Sequence, residues 1–107
     1  MSAGDTLDFQ SLRWEDDQLD IRSRSARALG QRWAIVEYSA GAARLEWCLD
    51  GHRGYVLDGH IEYEFDDGSP PLHVRQGQGF FLAGGTGHRG RNPGGGTARL
   101  FLIDDPA

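Results

Sequence analysis

The chain has 107 residues, a formal net charge of −5 at pH 7 and one cysteine. This length suits one domain that buries about two-thirds of the surface of its unfolded form, so we expect folding without disulfides or a structural metal. The acidic balance argues against nucleic acid or an anionic membrane surface as a partner, because basic patches bind both. Without a membrane-spanning apolar run, a signal segment or a second cysteine, the sequence predicts a cytoplasmic protein.

The N-terminal third is acidic and only weakly apolar, and three conformations are compatible with it. Residues 5–20 fit a frayed arm, a short helix or an edge strand laid over a sheet. We expect a partly ordered arm over residues 1–30, packed by Phe9 and Trp14. The folded domain is then expected over residues 31–107.

From residue 32 onward, glycine-rich turn signals recur at intervals of roughly five to eight residues, which is typical of strands rather than helices. The β-rich runs between these turns are residues 32–38, 44–49, 54–57, 60–65, 72–75, 80–83 and 98–103. In one of these runs Ile61, Tyr63 and Phe65 alternate with polar residues and are expected to face apolar neighbours. Many short antiparallel strands joined by glycine turns predict an all-β sandwich, barrel or jelly roll.

The segment over residues 77–92 carries the clearest candidate for chemistry, His88. A glycine-bounded strand runs through a glycine turn into this histidine, and such a turn leaves room for the imidazole to face a shared interior. Its expected partners lie earlier in the chain, where Glu46, Cys48 and His52 fall on a predicted strand and the turn after it. Four metal-competent side chains in two hairpins constitute a candidate site.

The spacing of the later segment resembles the second sequence motif of the cupin superfamily. The matching residues are Gly77, Ala83, Gly85, His88 and Asn92, with Ala83 where the family usually has proline. By this resemblance the chain is similar to a small single-domain cupin of the type-2 kind. The resemblance implies a double-stranded β-helix, a jelly-roll barrel that holds a metal inside.

The earlier segment resembles the end of the first cupin motif, in which an acidic ligand precedes a Tyr-Val-Leu-x-Gly strand and turn. Here His52 stands at the acidic position, and counting back by four and six places gives Cys48 and Glu46, where cupins typically carry a His-x-His pair. The resemblance implies a ligand set of Glu46, Cys48, His52 and His88, with the ligand types of the first motif exchanged between positions.

The expected cofactor is one divalent transition metal ion, with zinc, iron, manganese and nickel as the alternatives. Glu46 and Cys48 are two residues apart on the predicted strand and project from one face. Without Cys48, the set of Glu46, His52 and His88 matches the two histidines and one carboxylate of non-haem iron(II) oxygenases. Ligation by the Cys48 thiolate shifts the preference toward zinc.

A second interpretation of residues 44–49 stays open, because bulky apolar residues alternate with the proposed ligands. Periodicity alone buries Leu45, Trp47 and Leu49 and leaves Glu46 in solvent. If instead the ligands face inward, the three apolar side chains lie outside the barrel and need cover from the N-terminal arm or a second subunit. A homodimer follows from that orientation.

The sequence predicts a metal-dependent enzyme, oxygenase-like or isomerase-like, that acts on a small polar organic molecule. The alternative function is a non-catalytic small-molecule binding or sensing module, dimeric through the face that carries Trp47. A third is an isomerase that uses His88 as a general base without metal. Arg44 shares the face of Glu46 and Cys48 and is a candidate for binding a substrate carboxylate, the competing interpretation being a surface arginine paired with an acid.

Overall fold

A computed structural model describes residues 3–105, which form nine β-strands and one turn of 3-10 helix. In chain order these are the 3-10 helix Phe9–Ser11, β1 Glu15–Gln18, β2 Ile21–Ala28, β3 Gln31–Tyr38, β4 His52–Asp58, β5 His60–Phe65, β6 Leu72–Arg75, β7 Gly79–Leu82, β8 His88–Arg91 and β9 Ala98–Asp104. No helix within these residues has the length and apolar character needed to span a membrane. The prediction of an all-β jelly roll is confirmed.

The strands form two antiparallel sheets that share one core. The larger sheet has the order β1-β2-β3-β9-β4-β7, and the smaller sheet has the order β6-β5-β8. Val56 and Leu100 from the larger sheet and Ile61 and Tyr63 from the smaller sheet are buried in a single apolar cluster. Phe65 packs against that cluster, so the alternation predicted for β5 is confirmed.

Much of the N-terminal third belongs to the larger sheet. Strand β2 pairs with β3 along its whole length, from Ile21 opposite Tyr38 to Ala28 opposite Gln31. The expected division of the chain into an arm over residues 1–30 and a domain over residues 31–107 stays a prediction. Residues 1–2 of that arm and residues 106–107 of that domain lie outside the described residues.

The two aromatic residues expected to pack the N-terminal third do contact the sheet. The Phe9 ring packs edge-on against Phe101 at a centroid distance of 6.0 Å. The Trp14 ring lies under the guanidinium groups of Arg22 and Arg24, at 4.2 and 4.4 Å. Cation–π contacts of this kind hold the chain before β1 against β2.

The prediction of a strand over residues 44–49 is wrong. Only isolated bridges join this segment to β8, from Ala43 to Arg91 and from Cys48 to His88. Between these two bridges the chain advances by five residues from Ala43 to Cys48, but by only three residues from His88 to Arg91 on β8. The segment therefore has two more residues than the strand opposite it. A bulge absorbs such a surplus by leaving residues unpaired. This bulge therefore decides which side chains of the segment face the interior.

Candidate metal centre

Cys48 is placed opposite His88 by a pair of backbone hydrogen bonds. The Cys48 N–H donates to the His88 carbonyl at 2.8 Å, and the His88 N–H donates to the Cys48 carbonyl at 2.9 Å. Residues that exchange both hydrogen bonds lie directly opposite each other in an antiparallel pair, with their side chains on one face. The bridge at the end of the bulge thus brings the only cysteine of the chain beside the histidine of the second motif.

His52, the first residue of β4, completes a group of three side chains. Its Nε2 atom lies 3.5 Å from the Cys48 Sγ atom, and its ring lies 4.9 Å from the His88 ring between centroids. One ligand atom from each of the three side chains lies within 4.8 Å of the other two. The structure therefore brings together three of the four predicted ligands, Cys48, His52 and His88.

The separation of Cys48 Sγ and His52 Nε2 fits a tetrahedral transition metal ion. With metal–sulfur and metal–nitrogen bonds of about 2.3 and 2.0–2.1 Å, a tetrahedral ion separates sulfur from nitrogen by about 3.6 Å. The observed Sγ–Nε2 distance of 3.5 Å agrees with this separation. In addition, His88 Nδ1 is buried and has no hydrogen-bond partner within residues 3–105. A buried imidazole nitrogen in this condition calls for an explanation such as an ion or a water.

Asp104, which the sequence interpretation missed, orients His52. The two residues are cross-strand partners on β9 and β4, and Asp104 Oδ1 accepts a hydrogen bond from His52 Nδ1 at 2.9 Å. Because this bond uses Nδ1 as the donor, a neutral His52 ring presents the lone pair of Nε2 toward Cys48. Burial alone would raise the pKa of Asp104, but the hydrogen bond with His52, the charge of His52 and the charge of Arg32 together lower it.

A signal for Asp104 exists in the sequence, although it is weak. Leu100 and Leu102 of β9 face the core, and Asp104 continues their alternation on the same face. An acidic residue on the inward face at the end of the last strand would have been worth testing as a partner for a histidine.

His88 has a strongly perturbed pKa. Burial, and secondly the neighbouring His52 ring, lower the pKa of His88 from 6.5 to about 4. The ring is therefore neutral at physiological pH, and neutral imidazole is the form that binds metal ions.

Glu46 does not join the three clustered ligands. Glu46 is exposed, although it is among the residues that line the cavity. The two-residue spacing that puts alternate side chains on one face holds only in a regular strand, and this segment is irregular. The assignment of Glu46 as a ligand stays a prediction.

The sequence left two interpretations of Arg44 open, a residue that binds a substrate carboxylate or an arginine paired with an acid. Its Nε atom donates to the Tyr38 hydroxyl at 3.1 Å, and its Nη2 atom pairs with Asp17 at 3.0 Å. At the same time Arg44 lines the cavity. It is thus an arginine paired with an acid in the wall of the candidate site.

The three clustered ligands line a cavity of about 730 Å³. Apolar side chains of Val36, Tyr63 and Leu102 form part of its wall, and polar groups stand among them. A concave, partly apolar chamber of this size with a few convergent polar groups is typical of small-molecule sites.

Comparison with known proteins agrees with the resemblance found in the motifs. The family model for the cupin domain matches residues 44–104, more than half of the chain. The cupin domain of Cnp3 from Schizosaccharomyces pombe has a TM-score of 0.76 at 17% identity, over 95% of this chain and 74% of that chain. KdgF from Halomonas sp. has a TM-score of 0.75 at 18% identity, over 98% and 96% of the two chains.

An enzyme is among the similar structures as well. The polyketide cyclase RemF from Streptomyces resistomycificus has a TM-score of 0.76 at 16% identity, over 94% of this chain and 78% of that chain. Identities this low show a shared fold and nothing finer. A search of curated proteins found no match. The fold, the motif spacing and the family match lead to one conclusion: the chain belongs to the cupin superfamily.

Proposed function

We propose that this cupin binds one divalent transition metal ion through Cys48, His52 and His88 and acts as a metal-dependent enzyme on a small polar organic molecule. The observation that carries the proposal is the convergence of these three ligand atoms at the wall of a 730 Å³ cavity. Three protein ligands leave a coordination position open for water or substrate, which is typical of catalytic rather than structural sites.

The ligand types favour zinc over the alternatives. One thiolate and two imidazoles make a softer set than two imidazoles and a carboxylate, and softer sets favour zinc. Glu46, the carboxylate that an iron(II) oxygenase site would need, is exposed. When bound, such an ion supplies Lewis-acid polarisation of a substrate oxygen.

The residues of the chain itself position ligands, hold protons and exclude water. Asp104 holds the His52 ring by its Nδ1 atom and so keeps Nε2 directed at the cluster. Burial raises the pKa of Tyr38 above its ordinary value of 10.0, against the opposing effect of Arg44. Tyr38 therefore keeps its proton and can donate a hydrogen bond to a substrate oxygen in the cavity.

The runner-up function is a dimeric, non-catalytic binding or sensing module. The exposed apolar side chains of Leu45, Trp47 and Leu49 beside the cavity favour this function, because a patch of this kind invites association. Dimerisation and a cytoplasmic location are part of the proposal in either case.

Elemental analysis of untagged protein tests the metal site. We expect near-stoichiometric metal in the parent protein and loss of metal in Cys48→Ala and in His88→Ala, since each change removes one of three ligands. Retained metal in both variants, or a metal-free parent after growth with supplemented zinc, would refute the site. The matched control is His73→Ala, because His73 Nε2 and His60 Nδ1 lie 2.7 Å apart on the smaller sheet and offer a competing surface site.

A further inference from the structure

A continuous chain of polar contacts lines one wall of the cavity. Arg32 donates from Nη2 to the Ser23 hydroxyl at 3.2 Å, and Ser23 donates to Asp17 Oδ1 at 2.8 Å. The other oxygen of Asp17 accepts from Arg44 at 3.0 Å. Arg44 in turn donates from Nε to the Tyr38 hydroxyl at 3.1 Å. The two arginines thus belong to one network that ends at Tyr38, and all three residues line the cavity.

The carboxylates of this wall already contact other side chains. Asp17 uses one oxygen for Ser23 and the other for Arg44. Asp104 uses one oxygen for His52, and its other oxygen lies 4.0 Å from Arg32. The remaining carboxylates at the cavity, those of Glu46 and Asp50, belong to exposed residues.

The donors of the wall, in contrast, are in surplus. Within residues 3–105, Arg44 Nη1 and Arg32 Nε have no acceptor, and Arg32 Nη1 has only the ion pair with Asp104 at 4.0 Å. The Tyr38 hydroxyl accepts from Arg44, but its own proton has no acceptor among the described residues. The unpartnered nitrogens of Arg32 and Arg44 are not fully buried, so a ligand that enters the cavity can reach them.

From this surplus we infer that the cavity takes a small-molecule carboxylate, bound by Arg32, Arg44 and Tyr38. The inference rests on the proposed function in that it places this carboxylate beside the cluster of Cys48 and the two histidines. A guanidinium fork matches the planar, two-oxygen geometry of a carboxylate better than that of a neutral group. Because the wall and the cluster line the same cavity, another part of the same molecule can reach the cluster.

The charges of the site favour a singly charged anion over a doubly charged one. Three arginines and four acidic residues line the cavity, so its formal charge is −1: Arg32, Arg44 and Arg89 against Asp17, Glu46, Asp50 and Asp104. A divalent ion held by the Cys48 thiolate would bring this charge to zero. A monoanionic carboxylate then adds one negative charge, whereas a phosphate dianion would add two.

Three probes that share a phenyl ring test the inference. Each is titrated into the protein, and binding is detected from the NMR signals of the arginine Nε–Hε groups. The probes are benzoate, the neutral benzamide, and phenyl phosphate. We expect saturable binding of benzoate and at least tenfold weaker binding of benzamide. Equal binding of benzoate and benzamide would overturn the inference, and tighter binding of phenyl phosphate would overturn it in favour of a phosphate site.

Substitutions of the wall residues test whether benzoate binds to this wall of the cavity. Arg44→Gln and Arg32→Gln are each expected to weaken benzoate binding at least tenfold, and Tyr38→Phe several-fold without a change in charge. Should either arginine variant fail to fold, the other and Tyr38→Phe still decide the question. Arg53→Gln is the matched control, because Arg53 is exposed and pairs with Asp105 outside the cavity. Unchanged affinity in the three wall variants would overturn the inference.

Titration in the presence of a chelator separates this inference from the proposed function. The arginines belong to the chain, so benzoate is expected to shift their signals in the metal-free protein as well. Metal binding without benzoate binding would overturn the inference and leave the metal site intact. Benzoate binding by a protein that takes up no metal would support the carboxylate site and refute the proposed enzyme.

Discussion

Asp104 Oδ1 lies 2.9 Å from His52 Nδ1, across the antiparallel pair of β4 and β9. A hydrogen bond from one imidazole nitrogen to a carboxylate fixes the ring orientation and the tautomer, and it raises the basicity of the other nitrogen. In this cupin the other nitrogen is the one directed at Cys48. Asp104 is therefore a positioning residue for the candidate metal centre.

Asp104→Asn is expected to weaken zinc binding by roughly 10- to 100-fold, the usual cost of losing a carboxylate that orients a histidine ligand. An asparagine can still meet His52, but it presents no formal charge and can offer its NH2 group instead of an acceptor. Competition with a chromophoric chelator measures the zinc affinity, and far-UV circular dichroism checks the fold. An affinity equal to that of the parent protein would contradict the role assigned to Asp104.

Substitutions of Cys48 and Glu46 test which of the two predicted ligands binds the metal ion. In protein loaded with cobalt(II), Cys48→Ser is expected to abolish the thiolate-to-metal absorption and to weaken binding, because a hydroxyl is a poor substitute for a thiolate. Glu46→Gln is expected to leave the absorption and the affinity unchanged, since its side chain is exposed and outside the cluster.

The opposite pattern would reassign the site. Loss of affinity in Glu46→Gln with an unchanged spectrum in Cys48→Ser would show that the carboxylate predicted from the sequence is the ligand after all. The two variants are matched in size to their parent residues, so a difference between them reports ligand chemistry rather than packing.

His88 makes the stability of the metal-free protein depend on pH. Burial first, and His52 second, lower the pKa of His88 from 6.5 to about 4. Below pH 6.5 the His88 imidazole is protonated in the unfolded chain but stays neutral in the folded chain. The free energy of unfolding therefore falls as the pH drops toward 4. The full loss attributable to His88 is on the order of 3 kcal/mol.

Urea denaturation of the metal-free protein between pH 4.5 and 7 measures this dependence. The variant His88→Gln keeps a polar side chain that does not titrate and is expected to flatten the curve in this range. The effect of Asp104 falls at lower pH, because its pKa is lowered from 3.8. A parent curve as flat as that of His88→Gln would contradict the assignment.

The sequence predicted the parts of the site that local patterns determine. Glycine turns and alternation mark most of the strands, and the spacing of the second motif singles out His88 within a single hairpin. Pairing between distant segments decided the rest. The bulge before Cys48 arises from a mismatch in length against β8, and Asp104 meets His52 from the far end of the chain. Asp104 has only the weak signal of its alternation with Leu102 along β9, and the bulge has no local signature in the sequence.

The bulge also leaves an apolar patch that the expected homodimer would cover. Leu45 is 76% exposed, Leu49 is 59% exposed, and Trp47 is 40% exposed although Arg89 stacks on its ring at 4.0 Å. We expect the parent protein to sediment as a dimer and Leu45→Lys to sediment as a monomer at the same concentration, because a buried lysine in the interface would lack a partner.

Leu19→Lys is the control, since Leu19 is 85% exposed in the turn before β2 and does not line the cavity. A monomeric parent at high micromolar concentration would refute the dimer, and equal dissociation of both variants would place the interface elsewhere.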